Sequence, residues 1–204
     1  KPMLVKGGGV GIAVPSAPST ILSAVMINET RLAAVSSTGD RVIAELDFAR
    51  GETGTAVAVS PDASLIAVGI QVQGGSGELR FAKLSGGSTL AFVGESLPMP
   101  SPPNKLAFSP NSTIIAVGEA SRRVKLYSVK DRTPVLGGGI VHTARVDALA
   151  FDSSGTRLAS GGMDGSIAVW PVLSDSEPLR LLSAHRSGVT GIGFADSKTL
   201  VTSG

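Results

Sequence analysis

The chain has 204 residues, 18 lysines and arginines against 16 aspartates and glutamates, a net charge of +2 and no cysteine. So even a charge balance argues against a nucleic-acid surface, the missing thiols exclude disulfides and thiolate metal sites, and the apolar runs, about seven residues at most, fall far below a membrane span. Aromatic residues make up only 4% of the chain, too few for platforms on which bases stack.

From the N-terminus, Gly7-Gly-Gly-Val-Gly11 has the outline of a dinucleotide loop. Val14 stands where its third glycine belongs and Pro15 where a helix should run, so the loop reading fails. Ala24-Val-Met-Ile-Asn-Glu-Thr-Arg-Leu-Ala-Ala-Val is a weak first copy of a pattern that sharpens from Thr55 onward. Val59-Ser-Pro-Asp-Ala-Ser-Leu-Ile-Ala-Val-Gly returns as Phe108-Ser-Pro-Asn-Ser-Thr-Ile-Ile-Ala-Val-Gly, 49 residues on, with the excess in a Pro/Gly/Ser-rich stretch. Phe108, Phe151 and Phe194 then follow at 43-residue steps, and His142 recurs as His185 at the same step. Periods of roughly 20 to 50 residues mark stacked or radial architectures.

The clearest copy predicts strands near 146–151, 157–161, 166–170 and 178–182. Asp152-Ser-Ser-Gly155 supplies its first turn and Met163-Asp-Gly165 a hairpin turn whose glycine tolerates positive φ. Asp62, Asp152 and Asp196 recur at equivalent turns, where the side chain caps its own backbone. Asn28-Glu-Thr and Asn111-Ser-Thr match the glycosylation pattern and read as turns between strands.

Four antiparallel strands and a return make one propeller blade. The expected fold is therefore all-β: one partial propeller over 1–204, with a weak blade in 1–50 and blades starting near 55, 105, 146 and 189, about four to five in all. The last copy stops at Thr202-Ser-Gly204, before its third strand, as in a segment of a longer protein.

His142, Ser160, Asp164 and Trp170 are spaced as the residues that form a buried relay in such a blade, from indole through hydroxyl and imidazole to carboxylate, with His185 its recurrence. A catalytic Ser/His/Asp reading is set aside, because buried polar groups in a blade must satisfy one another. No Gly-x-Ser-x-Gly elbow or phosphate-loop lysine occurs, and two histidines in neighbouring blades do not converge on a metal. No enzyme activity, cofactor or metal is expected.

Four segments carry a further likeness: Gly118-Glu-Ala-Ser-Arg-Arg-Val-Lys-Leu-Tyr-Ser-Val, His142-Thr-Ala-Arg-Val-Asp-Ala-Leu-Ala-Phe, Leu158-Ala-Ser-Gly-Gly-Met-Asp-Gly, and Asp196-Ser-Lys-Thr-Leu-Val-Thr-Ser-Gly, of which the Ala120-Ser-Arg-Arg-Val and His142-Thr-Ala-Arg-Val strings are more specific than the general pattern. Through them Thr55–Gly204 resembles the C-terminal propeller of the actin-interacting protein 1 family of WD-repeat proteins. The resemblance implies two linked seven-bladed propellers that bind actin filaments together with cofilin and promote filament disassembly, in the cytoplasm at the actin cytoskeleton. Pro171, Tyr127-Ser and Phe81-Ala depart from the family's Trp-Asp pairs. Arg122, Arg123, Arg145 and Arg186, in turns or strand edges beside blade joints, are candidate partner contacts, since the guanidinium fork pairs with carboxylates. A generic scaffold or adaptor for a multiprotein complex would have the same blades; neither nucleic acid nor membrane is an expected partner.

Overall fold

Short apolar and β-branched runs punctuated by turn residues build only strands in this computed structural model, which describes residues 12–13, 22–36 and 41–204. The run Gly7–Gly11, Val14 and Pro15 lie outside the described residues. The chain divides into two compact units, residues 1–103 and 104–204.

In the first unit, β1 (Ile12–Ala13), β2 (Leu22–Asn28), β3 (Arg31–Ser36) and β4 (Val42–Asp47) form an antiparallel sheet in chain order. A second sheet holds β5 (Thr53–Val59), β6 (Ile66–Gln71), β7 (Gly77–Ser85), β8 (Thr89–Phe92) and β9 (Leu97–Met99). This blade corrects the expectation of four strands. The short β8 pairs only with Ala82–Ser85, so the Pro/Gly/Ser-rich excess returns as β9 to cover Gly77–Leu79 on the same long strand. The core lies between the sheets, with Met26, Leu32 and Phe48 packed on Ile66, Val68, Ile70 and Leu90.

In the second unit, β10 (Pro103–Phe108), β11 (Ile114–Glu119), β12 (Arg123–Ser128) and β13 (Pro134–Ile140) form one four-stranded sheet. The next contains β14 (Val146–Phe151), β15 (Arg157–Gly162), β16 (Ile167–Pro171) and β17 (Leu179–Leu181), and β18 (Gly191–Phe194) pairs with β19 (Leu200–Ser203). Alternation along β12 turns Val124 and Leu126 inward against Val146, Leu149, Leu158 and Trp170. Each large apolar side chain so buried contributes about 1.5–3 kcal/mol. Close packing of successive sheets depends on a glycine. A Cβ on Gly118 would meet Val146 Cγ1 at 2.7 Å, and one on Gly161, the same repeat position, would meet Val189 Cγ1 at 2.5 Å.

The turns follow from their sequences. Asp62 accepts from Ser64 N, Asp152 from Arg157 N, and Asp196 from the amides of Lys198 and Thr199. Asn111 takes the same part, accepting from Thr113 N and Ser109 Oγ in the β10–β11 turn, while Glu29 and Thr30 make the β2–β3 turn.

Candidate functional site

The polar groups of the β14–β17 sheet converge where the β13–β14 connector crosses the β15–β16 turn. β15 supplies Ser160 and β16 supplies Trp170, held by the antiparallel register that sets Leu158 opposite Trp170 and Ser160 opposite Ala168. Trp170 Nε1 donates to Ser160 Oγ at 2.9 Å, and Ser160 Oγ lies 2.8 Å from His142 Nε2. On the other side of the ring, His142 Nδ1 is 2.8 Å from Ser166 Oγ, which donates to Asp164 Oδ1 at 2.7 Å.

The step from imidazole to carboxylate therefore differs from the expected one. His142 Nδ1 and Asp164 Oδ1 are 3.6 Å apart, too far for a hydrogen bond, and the hydroxyl of Ser166 bridges them. The reason lies in the turn. Asp164 Oδ1 caps the amide of Ser166 at 3.0 Å, an Asx-type bond that pulls the carboxylate toward its own backbone and places the Ser166 hydroxyl beside the ring. Asp-x-Ser in a hairpin turn was the sequence signal that could have identified Ser166.

The chemistry of the atoms sets the proton positions. A carboxylate only accepts, so Ser166 gives its proton to Asp164 and accepts from His142 Nδ1–H. Ser160 accepts the indole proton and gives its own to His142 Nε2. All donors then run one way, from Trp170 to Asp164, around a neutral imidazole. Burial pushes the His142 pKa down, and Asp164 offsets this only in part. Burial also pushes the Asp164 carboxyl up, yet hydrogen bonds from Ser166 and Thr143 together outweigh it and hold the group well below the usual carboxylate range. Ser160 is fully buried and His142 is 2% exposed, so no substrate reaches the hydroxyl or the ring.

His185 holds the matching place before β18, and its Nε2 lies 2.9 Å from Thr202 Oγ1 on β19. Thr202 thus stands to His185 as Ser160 stands to His142. In the preceding sheet Val117 takes the serine position and Tyr127 the tryptophan position, both buried. Glu119 there replaces Gly162. Its side chain is fully buried, Oε2 accepts from Ser121 Oγ at 2.6 Å, and Oε1 has no hydrogen-bond partner. Sequence reasoning passed over Glu119, although the repeat aligns it with the glycine.

The four candidate arginines lie apart from this buried set. Arg122 is exposed in the β11–β12 turn, and Arg123 begins β12, half-buried. Arg145 is exposed before β14 with its Nε donating to Asp147 Oδ2 at 3.0 Å, and Arg186 is exposed in the connector to β18.

The WD domain, G-beta repeat family description matches residues 139–171, the span that carries His142, Ser160, Asp164, Ser166 and Trp170. WD repeat-containing protein 1 of Bos taurus is 33% identical over 147 residues, 72% of this chain and 23% of that protein. Actin-interacting protein 1-2 of Arabidopsis thaliana is 30% identical over 152 residues, 74% of this chain and 24% of that protein. The chain thus spans about a quarter of the length of these curated relatives. Among solved structures, a chain of the "Crystal Structure of Mitotic Checkpoint Complex" superposes with a TM-score of 0.76 at 20% identity, covering 90% of this chain and 53% of that one. At that identity the likeness concerns the fold alone, an all-β series of WD-repeat propeller blades.

Proposed function

Because this chain belongs to the actin-interacting protein 1 family of WD-repeat proteins, we propose that it is a protein-binding part of a factor that acts on actin filaments together with cofilin and promotes their disassembly. The observation that carries this reading is the identity of about one third, over nearly three quarters of the chain, to WD repeat-containing protein 1. Its place of action on this reading is the actin cytoskeleton of the cytoplasm. Rigid sheets with variable loops at their ends suit binding rather than turnover. His142, Ser160, Asp164, Trp170 and His185 serve the blade on this reading, as buried hydrogen-bond partners and not as reacting groups.

The test is co-sedimentation of the full-length protein with actin filaments, with and without cofilin. Cofilin-dependent release of actin into the supernatant is the expected result. Absence of binding under both conditions would overturn the filament reading and leave a WD-repeat scaffold for another complex.

A further inference from the structure

Strand order decides which loops of residues 104–204 share an end. In each antiparallel sheet the second strand runs to the end where the third begins and from which the fourth leaves for the next sheet. The β11–β12 and β15–β16 turns therefore lie at one end with the β13–β14 and β17–β18 connectors. That end holds Arg122, Arg123, Arg145 and Arg186, and Arg180 reaches it to donate to Val141 O at 2.7 Å.

The acids at this end are withdrawn from solvent. Glu119 is fully buried, the Asp164 side chain is 12% exposed and committed to Ser166 and Thr143, and Asp147 is 21% exposed and bonded by Arg145. The exposed acids of the unit, Asp131, Asp175, Glu177 and Asp196, all lie in turns at the opposite end. Among the described residues Arg122, Arg123 and Arg186 have no carboxylate partner. The solvent-facing charge of this end is thus positive, and on Arg122, Arg123 and Arg186 it is unpaired.

A second observation singles out Arg122. Its φ is +73°, and its amide donates to Glu119 O at 3.1 Å; in the equivalent turn Gly165 has φ +75° and donates to Gly162 O at 3.1 Å. A side chain in this left-handed position carries a strain that glycine avoids. The chain places an exposed, unpaired guanidinium there.

We infer that this end of residues 104–204 docks a carboxylate-rich segment of a partner protein through Arg122, Arg123 and Arg186, with Arg145 at its side. Tyr127 and Trp170 are buried within their sheets, so this end presents neither of them for bases to stack on, and an acidic polypeptide fits better than a nucleic acid. The inference rests on the chain being a binding module and does not require the partner to be an actin filament.

The full chain is titrated with fluorescent poly-L-glutamate and, separately, with single-stranded oligothymidylate of equal charge, at two salt concentrations. Poly-L-glutamate is expected to bind more tightly, with an affinity that falls as salt rises. The triple change Arg122→Gly, Arg123→Ser, Arg186→Ser is expected to weaken it about tenfold, and Lys130→Ser, Arg132→Ser, Lys198→Ser at the opposite end to leave it nearly unchanged. Arg122→Gly alone is expected to weaken binding while its unfolding midpoint stays level or rises, which separates loss of contact from loss of fold. Equal loss from both triple changes, no loss from the first, or tighter binding of the oligothymidylate would each overturn the inference. If poly-L-glutamate binds as expected but filaments do not co-sediment, the filament reading fails alone; if filaments co-sediment but poly-L-glutamate binds equally well after the first triple change, this inference fails alone.

Discussion

Gly162 and His142 share one space: a Cβ on Gly162 would stand 2.7 Å from His142 Nδ1. The pairing repeats, since a Cβ on Gly204 would stand 2.9 Å from His185 Nδ1. Where the sheet has no such histidine, the glycine position is filled, by buried Ile70 in one blade and by buried Glu119 in another. Imidazole and glycine therefore form a unit, and the ring occupies volume that a side chain takes elsewhere.

Gly162→Ala is expected to destabilise the protein by about 1–3 kcal/mol, because the ring is held on both nitrogens and cannot yield. Urea unfolding measures it. In the His142→Ala background the same change should cost less, as expected for two residues in contact, with a remainder from Asp164 Oδ1, which would stand 2.6 Å from the new Cβ.

Ser166→Ala leaves the His142 Nδ1 proton without its acceptor and removes one bond from Asp164, at an expected cost of about 1–3 kcal/mol. Trp170→Phe removes the indole donor and also leaves a void among Val124, Leu126 and Leu158, so both effects lower its stability. Thermal unfolding measures both variants; an unchanged midpoint for Ser166→Ala would contradict the donor direction assigned to the relay.

Stability is expected to fall as pH drops below about 6.5. The unfolded imidazole titrates near 6.5 and the folded His142 lower, so between the two values the unfolded chain binds more protons. The contribution is complete above the unfolded value and is lost as pH falls toward the folded one. Unfolding midpoints between about pH 7 and 5 test this, with a smaller drop in His142→Gln. Asp164 behaves likewise at lower pH: its contribution is present above the ordinary value of 3.8 and declines as acid is added beyond it.

Glu119→Ile is expected to raise the unfolding midpoint. A buried carboxylate oxygen without a partner costs about 1–3 kcal/mol or more, and the equivalent Ile70 is accommodated fully buried in its own blade. A fall in the midpoint would mean that the carboxylate has a partner that stabilises it.

Much of the fold was legible in the chain because it is written several times. The recurring Phe108, Phe151 and Phe194, the turn aspartates and the runs around 146–170 mark strands whose pairing is local, so period-2 alternation and turn chemistry determine each sheet. The residue types of the relay could be read as well, since His142, Ser160, Asp164 and Trp170 stand at the spacings of one blade and His142 recurs as His185. What the tertiary structure alone decided depends on side-chain direction and strand polarity. The Asx bond in the β15–β16 turn brings Ser166 between ring and carboxylate, and the short β8 leaves room that β9 fills. The antiparallel order gathers Arg122, Arg123, Arg145 and Arg186 at one end while the exposed acids collect at the other. In the sequence those charges alternate; folding back and forth of the strands brings the exposed acids to one end, beside Lys130, Arg132 and Lys198, and leaves the other end without an exposed acid.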